Sequence, residues 1–178
     1  MKRLIAAAVL SLLAAAPAHA ADKRMVSYDS ASAEARRLTG AGLTFVFTKS
    51  MMRTRVLAVH ATAVPVGVVL EPAPGMERKL DPLMGEAAGS GALYEIRPDE
   101  KQGPVMVQAF CPGSTKGWLA IGPIAHARPL RVHAFGDDPR TGEPRLCGVM
   151  EFDYRGEWRL PRTNSDDPTD YVFSPNWQ

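Results

Sequence analysis

The stretch Met150-Glu-Phe-Asp-Tyr-Arg-Gly-Glu-Trp-Arg-Leu160 decides the fold class. Met150, Phe152 and Tyr154 alternate with Glu151 and Asp153, the two-residue period of a strand with one dry and one wet face. Arg155-Gly156 reads as a turn. Trp158 and Leu160 then oppose Glu157 and Arg159, so the segment predicts an amphipathic hairpin.

Upstream, the same signal recurs in shorter pieces. From Pro129 to Phe135, Leu130, Val132 and Ala134 share one face while Arg131 and His133 share the other. Trp118 to Ile121, Val105 to Phe110 and Leu93 to Arg97 read as further strands. Leu43 to Thr48 is β-branched and aromatic, and Thr54 to His60 answers it across Lys49-Ser-Met-Met-Arg53, which predicts a second hairpin. Ala63 to Leu70 is another apolar run, with Pro65 marking an edge or bulge. Residues 72–91 are the longest irregular stretch, with room for one helical turn in MERKLDPLMGE.

One segment predicts a short helix. Asp29 or Ser30 is placed to cap SASAEARRLTGAG, with Glu34 early, Arg36 and Arg37 late, and Gly40 as the stop. Fourteen of the 15 prolines and all 15 glycines lie past residue 20, scattered between the apolar runs. The expected fold is mainly β: a single β-sandwich or a small partly open barrel of about eight or nine short strands, with one short N-terminal helix.

Residues 1–20 stand apart. Lys2-Arg3 precede an uncharged run from Leu4 to Ala16, and Ala18-His19-Ala20 fits the small-x-small rule for cleavage before Ala21. That run is too short for a stable membrane span. The expected organisation is therefore a cleaved signal peptide, 1–20, and one β-rich domain, 21–178, in the periplasm or secreted. Of 21 basic residues two fall in the leader, leaving 19 against 19 acidic. A neutral chain lacks the basic excess that nucleic-acid binding needs. An eight-stranded outer-membrane barrel is the weaker alternative, because most apolar alternations are too short and prolines interrupt several.

Cys111 and Cys147 are the only cysteines, and in an exported chain such a pair predicts a disulfide. On the sequence reading the bond joins two β segments. Cys147 falls by parity on the wetter face, which requires a twist or bulge beside Gly148.

No catalytic motif has full spacing. Cys111-Pro-Gly-Ser-Thr-Lys-Gly117 has the glycines, hydroxyls and lysine of an anion cradle, but not the order of a P-loop, and it reads as a turn held by the disulfide. Ser114 lacks a Gly-x-Ser-x-Gly elbow. His60, His126 and His133 match no metal motif, and no metal or other cofactor is expected. Asn164, Asp166, Asp167 and Asp170 lack the glycine and glutamate of a calcium loop.

The hairpin tip is more suggestive. Met51 and Met52 are adaptable contact residues, and Lys49, Arg53 and Arg55 beside them suit an acidic partner or an anionic lipid surface. The expected function is a non-catalytic exported module that binds an envelope protein or small ligand through its loops. The rival is a small exported hydrolase or lyase using His126 or His133 with acidic partners. A pocket that gathers histidine, carboxylate and Ser114 would favour the rival.

Overall fold

The computed structural model describes residues 22–50, 53–64, 67–85, 91–97 and 102–160. In chain order these form β1 (Asp22–Ser30), α1 (Ala33–Thr39), β2 (Gly42–Lys49), β3 (Thr54–Ala61), β4 (Gly67–Pro72), α2 (Glu77–Met84), β5 (Ala92–Ile96), α3 (Gly103–Phe110), β6 (Gly117–Ile121), β7 (Leu130–Asp137) and β8 (Pro144–Arg159). All eight strands pair antiparallel in sequence order, and β8 returns to β1, so the sheet closes on itself. The small barrel expected from the sequence is present, closed rather than partly open. The two packed sheets of a sandwich are not found among the described residues.

Closure depends on β8. Its first part, Pro144 to Phe152, pairs with β7, and its second, Phe152 to Arg159, pairs with β1. One strand therefore runs where the sequence suggested a hairpin. Arg155 is not in a turn: Ser27 faces Gly156 and Tyr28 faces Tyr154, leaving Arg155 as an extra residue in a bulge. The bulge inverts the parity beyond it. Phe152 faces the interior, whereas past the bulge Glu157 lies opposite buried Val26 and Trp158 is 42% exposed. Trp158 is thus on the wet side, a correction to the amphipathic reading.

Three short helices are present instead of one. α1 is capped by Ser32, whose hydroxyl accepts from Ala35 N, because Asp29 and Ser30 are used in β1. The β1 strand itself was not anticipated. α3 replaces the strand expected over Val105–Phe110. Gly103-Pro104 opens it, where a missing proline N–H costs nothing, and Met106, Val107 and Phe110 are buried at helical spacing. α2 fills the middle of the irregular stretch and carries Pro82 two residues before its end.

Side chains from every strand fill the barrel, with Phe45, Phe47, Tyr28, Leu119, Val132 and Phe152 among the most buried. Ala35 and Leu38 of α1 and Met106, Val107 and Phe110 of α3 join this interior cluster. Both helices sit on connections at the same end of the barrel and plug it. Outside, Leu80 of α2 packs with Trp118, Ala120 and Phe135 on the wall of β6 and β7. A second apolar patch outside the interior, Met25, Val46, Leu57, Ala58 and Leu160, lies across β1, β2 and β3, while other outward positions carry Ser27, Thr44, Glu71, Arg131, Glu151 and Asp153. No helix among the described residues is long and apolar enough to cross a membrane.

Candidate functional site

The two ends of the barrel differ in chemistry. At the plugged end, Cys111 and Cys147 form a disulfide with Cα atoms 5.3 Å apart. It ties the end of α3 to β8, so only one of its two segments is a strand. Cys147 is the extra residue of a second bulge, since Ala134 faces Gly148 and Phe135 faces Leu146. The bulge takes Cys147 out of the parity that would have put it on the wet face.

The same end explains the Cys111–Gly117 segment. Thr115 N and Lys116 N donate to Asp137 Oδ1 at 2.6 and 2.7 Å, and the Thr115 hydroxyl reaches Oδ2 at 2.6 Å. The cradle is filled, and the anion it holds is the carboxylate of Asp137. Partial burial pushes the Asp137 pKa up, but the bonds from Lys116 and Thr115 outweigh it and hold it below the usual range. Ser114 donates its hydroxyl to Asp137 O at 2.7 Å, and Arg145 reaches Pro112 O at 2.7 Å. Ser114 is a structural residue in this network.

At the other end lie the β2–β3 tip, the β4–β5 and β6–β7 connections and the last residues of β8. β4 pairs with β3 only over Ala58–His60 and then follows β5, which leaves a slit in the wall beside the start of β3. Val56 N points across this slit and donates to the Tyr94 hydroxyl at 3.0 Å. Here a cavity of about 180 Å³ opens, lined by Thr54, Val56, Ala92, Tyr94, Ile121 and Gly122–Ile124. It is smaller than the ~300–1,000 Å³ of pockets for drug-sized ligands, and suits a single side chain or a small group.

Polar groups gather on the β8 side of this end. Arg24 pairs with Glu157 at 2.8 Å, and the Tyr154 hydroxyl lies 2.9 Å from His126 Nδ1. Tyr28 packs edge-on to Phe45 and Tyr154, and its buried hydroxyl has no partner among the described residues. Burial, with Tyr154 and Glu157 nearby, pushes its pKa up to about 12, so it stays a neutral phenol.

The site residues expected from the sequence fall as follows. Lys49, Arg53 and Arg55 are exposed at the open end, and no described carboxylate pairs with them. Met51 and Met52 lie outside the described residues, as does the acidic cluster at 164–170. The rival's residues do not converge: Ser114 is held at the plugged end, while His126 is exposed at the open end on Tyr154. His133 is buried on the outer wall, stacked on Phe135. Among the described residues no three of His, Cys, Asp and Glu cluster as metal ligands. Thr54, Tyr94 and Ile121–Ile124 were missed because the cavity comes from the mismatch between β3 and β4, which no local pattern encodes. No protein-family model, curated protein or solved structure matches this chain.

Proposed function

We propose that this chain is an exported, non-catalytic binding module that receives an acidic segment of a partner protein at the open end of its barrel. Thr54 carries the reading: it lines the mouth cavity and sits between exposed Arg53 and Arg55. A partner side chain of leucine size enters against Val56, Ile121 and Ile124, and acidic neighbours meet Lys49, Arg53 and Arg55. Such an apolar anchor ringed by charge is how compact interfaces concentrate affinity. Met51 and Met52, between the cations in sequence, add adaptable contact surface. Export rests on the leader at 1–20 and agrees with the disulfide, which persists in oxidising compartments.

The test uses isotope-labelled, disulfide-intact protein and a capped peptide with one leucine between glutamates. Amide shifts should change at Arg53–Val56, Tyr94 and Ile121–Ile124. A lysine-for-glutamate version of the peptide should bind at least about tenfold more weakly. Shifts confined to α1, α3 or the β7–β8 turn, or equal binding of both peptides, would contradict the reading.

A further inference from the structure

Among the described residues, the edge of β3 beside the mouth cavity has no strand paired to it. Ser50 N donates to Arg53 O at 2.9 Å at the hairpin tip, and Thr54, Arg55 and Val56 lie opposite Lys49, Thr48 and Phe47. Bonded and non-bonded pairs alternate along an antiparallel ladder. Arg53 and Arg55 therefore turn their backbone groups to β2, and Thr54 and Val56 turn theirs the other way. That side belongs to β4, which pairs with β3 only from Ala58 to His60. Val56 N bonds a side chain instead, the Tyr94 hydroxyl, and no described residue bonds Thr54 N, Thr54 O or Val56 O.

The cavity of about 180 Å³ lies against this edge, since Thr54 and Val56 both line it. Side chains alternate as the backbone does. Val56, 2% exposed, faces the interior, while Arg55 faces solvent with Arg53 at the same parity. A strand laid along β3 follows the same alternation, with one set of side chains at the cavity and the other beside the two arginines.

We propose that the acidic segment of the partner binds extended, as a strand added to the edge of β3 over Thr54–Val56. This rests on the open-end reading above and names the form the partner takes there. The segment's N–H and C=O groups bond Thr54 O, Thr54 N and Val56 O, while Val56 N keeps the Tyr94 hydroxyl. A leucine at the cavity then has glutamates as its immediate neighbours in sequence, on the face of Arg53 and Arg55. Main-chain bonds supply affinity and the alternating side chains supply specificity, as strand addition does elsewhere. Two copies of this chain pairing edge to edge would set these arginines against each other, so the edge rejects its own kind.

Two capped peptides of one composition, Ser-Glu-Leu-Glu-Ser and Glu-Ser-Leu-Ser-Glu, are titrated into isotope-labelled, disulfide-intact protein. The first, with glutamates next to leucine, should bind at least about threefold more tightly. Bound, it should slow hydrogen exchange of the Thr54 amide at least about tenfold, and leave Arg55, whose N–H faces β2, unchanged. Thr54→Pro removes the donor on the open edge and spares the ladder to β2, and should weaken the first peptide several-fold. Should Thr54→Pro disturb the tip, exchange of the wild-type Thr54 amide still decides. Equal binding of the two peptides, a Thr54→Pro variant that binds like the wild type, or a Thr54 amide that exchanges as fast in the complex as in the free protein would overturn strand addition and leave the open-end reading standing. Failure of both peptides to bind at the open end would overturn both. A Thr54 amide protected before peptide is added, by a second copy or by the chain's own residues, would overturn the proposal as well.

Discussion

The two ends of this barrel use their described residues differently. At one, α1 and α3 push Leu38, Met106 and Phe110 into the interior, the disulfide fixes α3 to β8, and Asp137 fills its own cradle. At the other, β3 and β4 part early, a tyrosine hydroxyl takes the place of a ladder partner, and cations that pair with no described carboxylate stand beside a cavity. Groups that look reactive in the sequence at the first end are spent on structure. At the second, Lys49, Arg53 and Arg55 are exposed and pair with no described carboxylate. Stability and binding should therefore be separable by mutation.

The largest effect is expected from Phe110→Ala. This ring is 1% exposed in the plug, and its loss should cost about 3–5 kcal/mol in urea unfolding. A loss below about 1 kcal/mol would mean that α3 does not seal the barrel. Replacing Cys111 and Cys147 together by alanine comes next. The bond spans 36 residues of sequence and should contribute on the order of 2–4 kcal/mol, read as a lowered melting temperature.

A pH effect of smaller size should follow from His60 and His133, whose pKa values burial holds below the ordinary imidazole value. The unfolded chain binds protons that the folded one refuses. Stability is then full above about pH 6.5 and declines as pH falls through that value toward the lowered folded pKa. His133→Gln should flatten the decline in a melting series between about pH 7 and pH 5. The smallest stability effect belongs to the open end: Lys49→Glu, Arg53→Glu and Arg55→Glu together should shift unfolding by no more than about 0.5 kcal/mol while abolishing binding of the acidic peptide.

What could be read in the sequence follows from where its period survives. The face of Leu130, Val132 and Ala134 alternates without interruption and forms as expected, and the β2–β3 hairpin forms too, with Leu57 as an extra residue in a bulge opposite Val46 and Phe47. Bulges break the rest. Arg155 shifts the parity of β8, so Trp158 and Glu157 exchange roles relative to a regular strand. The run from Val105 to Phe110 is apolar enough for either element. Its preceding Gly103-Pro104 was the helix signal, and the buried set at 106, 107 and 110 has helical spacing. The disulfide was legible from the cysteine count and the leader-like residues 1–20, and its bulge from Gly148. The mouth cavity arises between segments distant in sequence, where alternation says nothing.

The central claim is that binding takes place at the open end, and photo-crosslinking from each end within the intact cell envelope tests it most directly. A photoreactive amino acid is placed at Arg53 in one variant and at Asp138, in the β7–β8 turn, in another. The account predicts a discrete protein adduct from position 53 alone, lost when Lys49 and Arg55 are changed to glutamate and competed by the leucine-centred acidic peptide. A discrete adduct from position 138 that neither the charge reversals nor the peptide removes, with none from position 53, would contradict it.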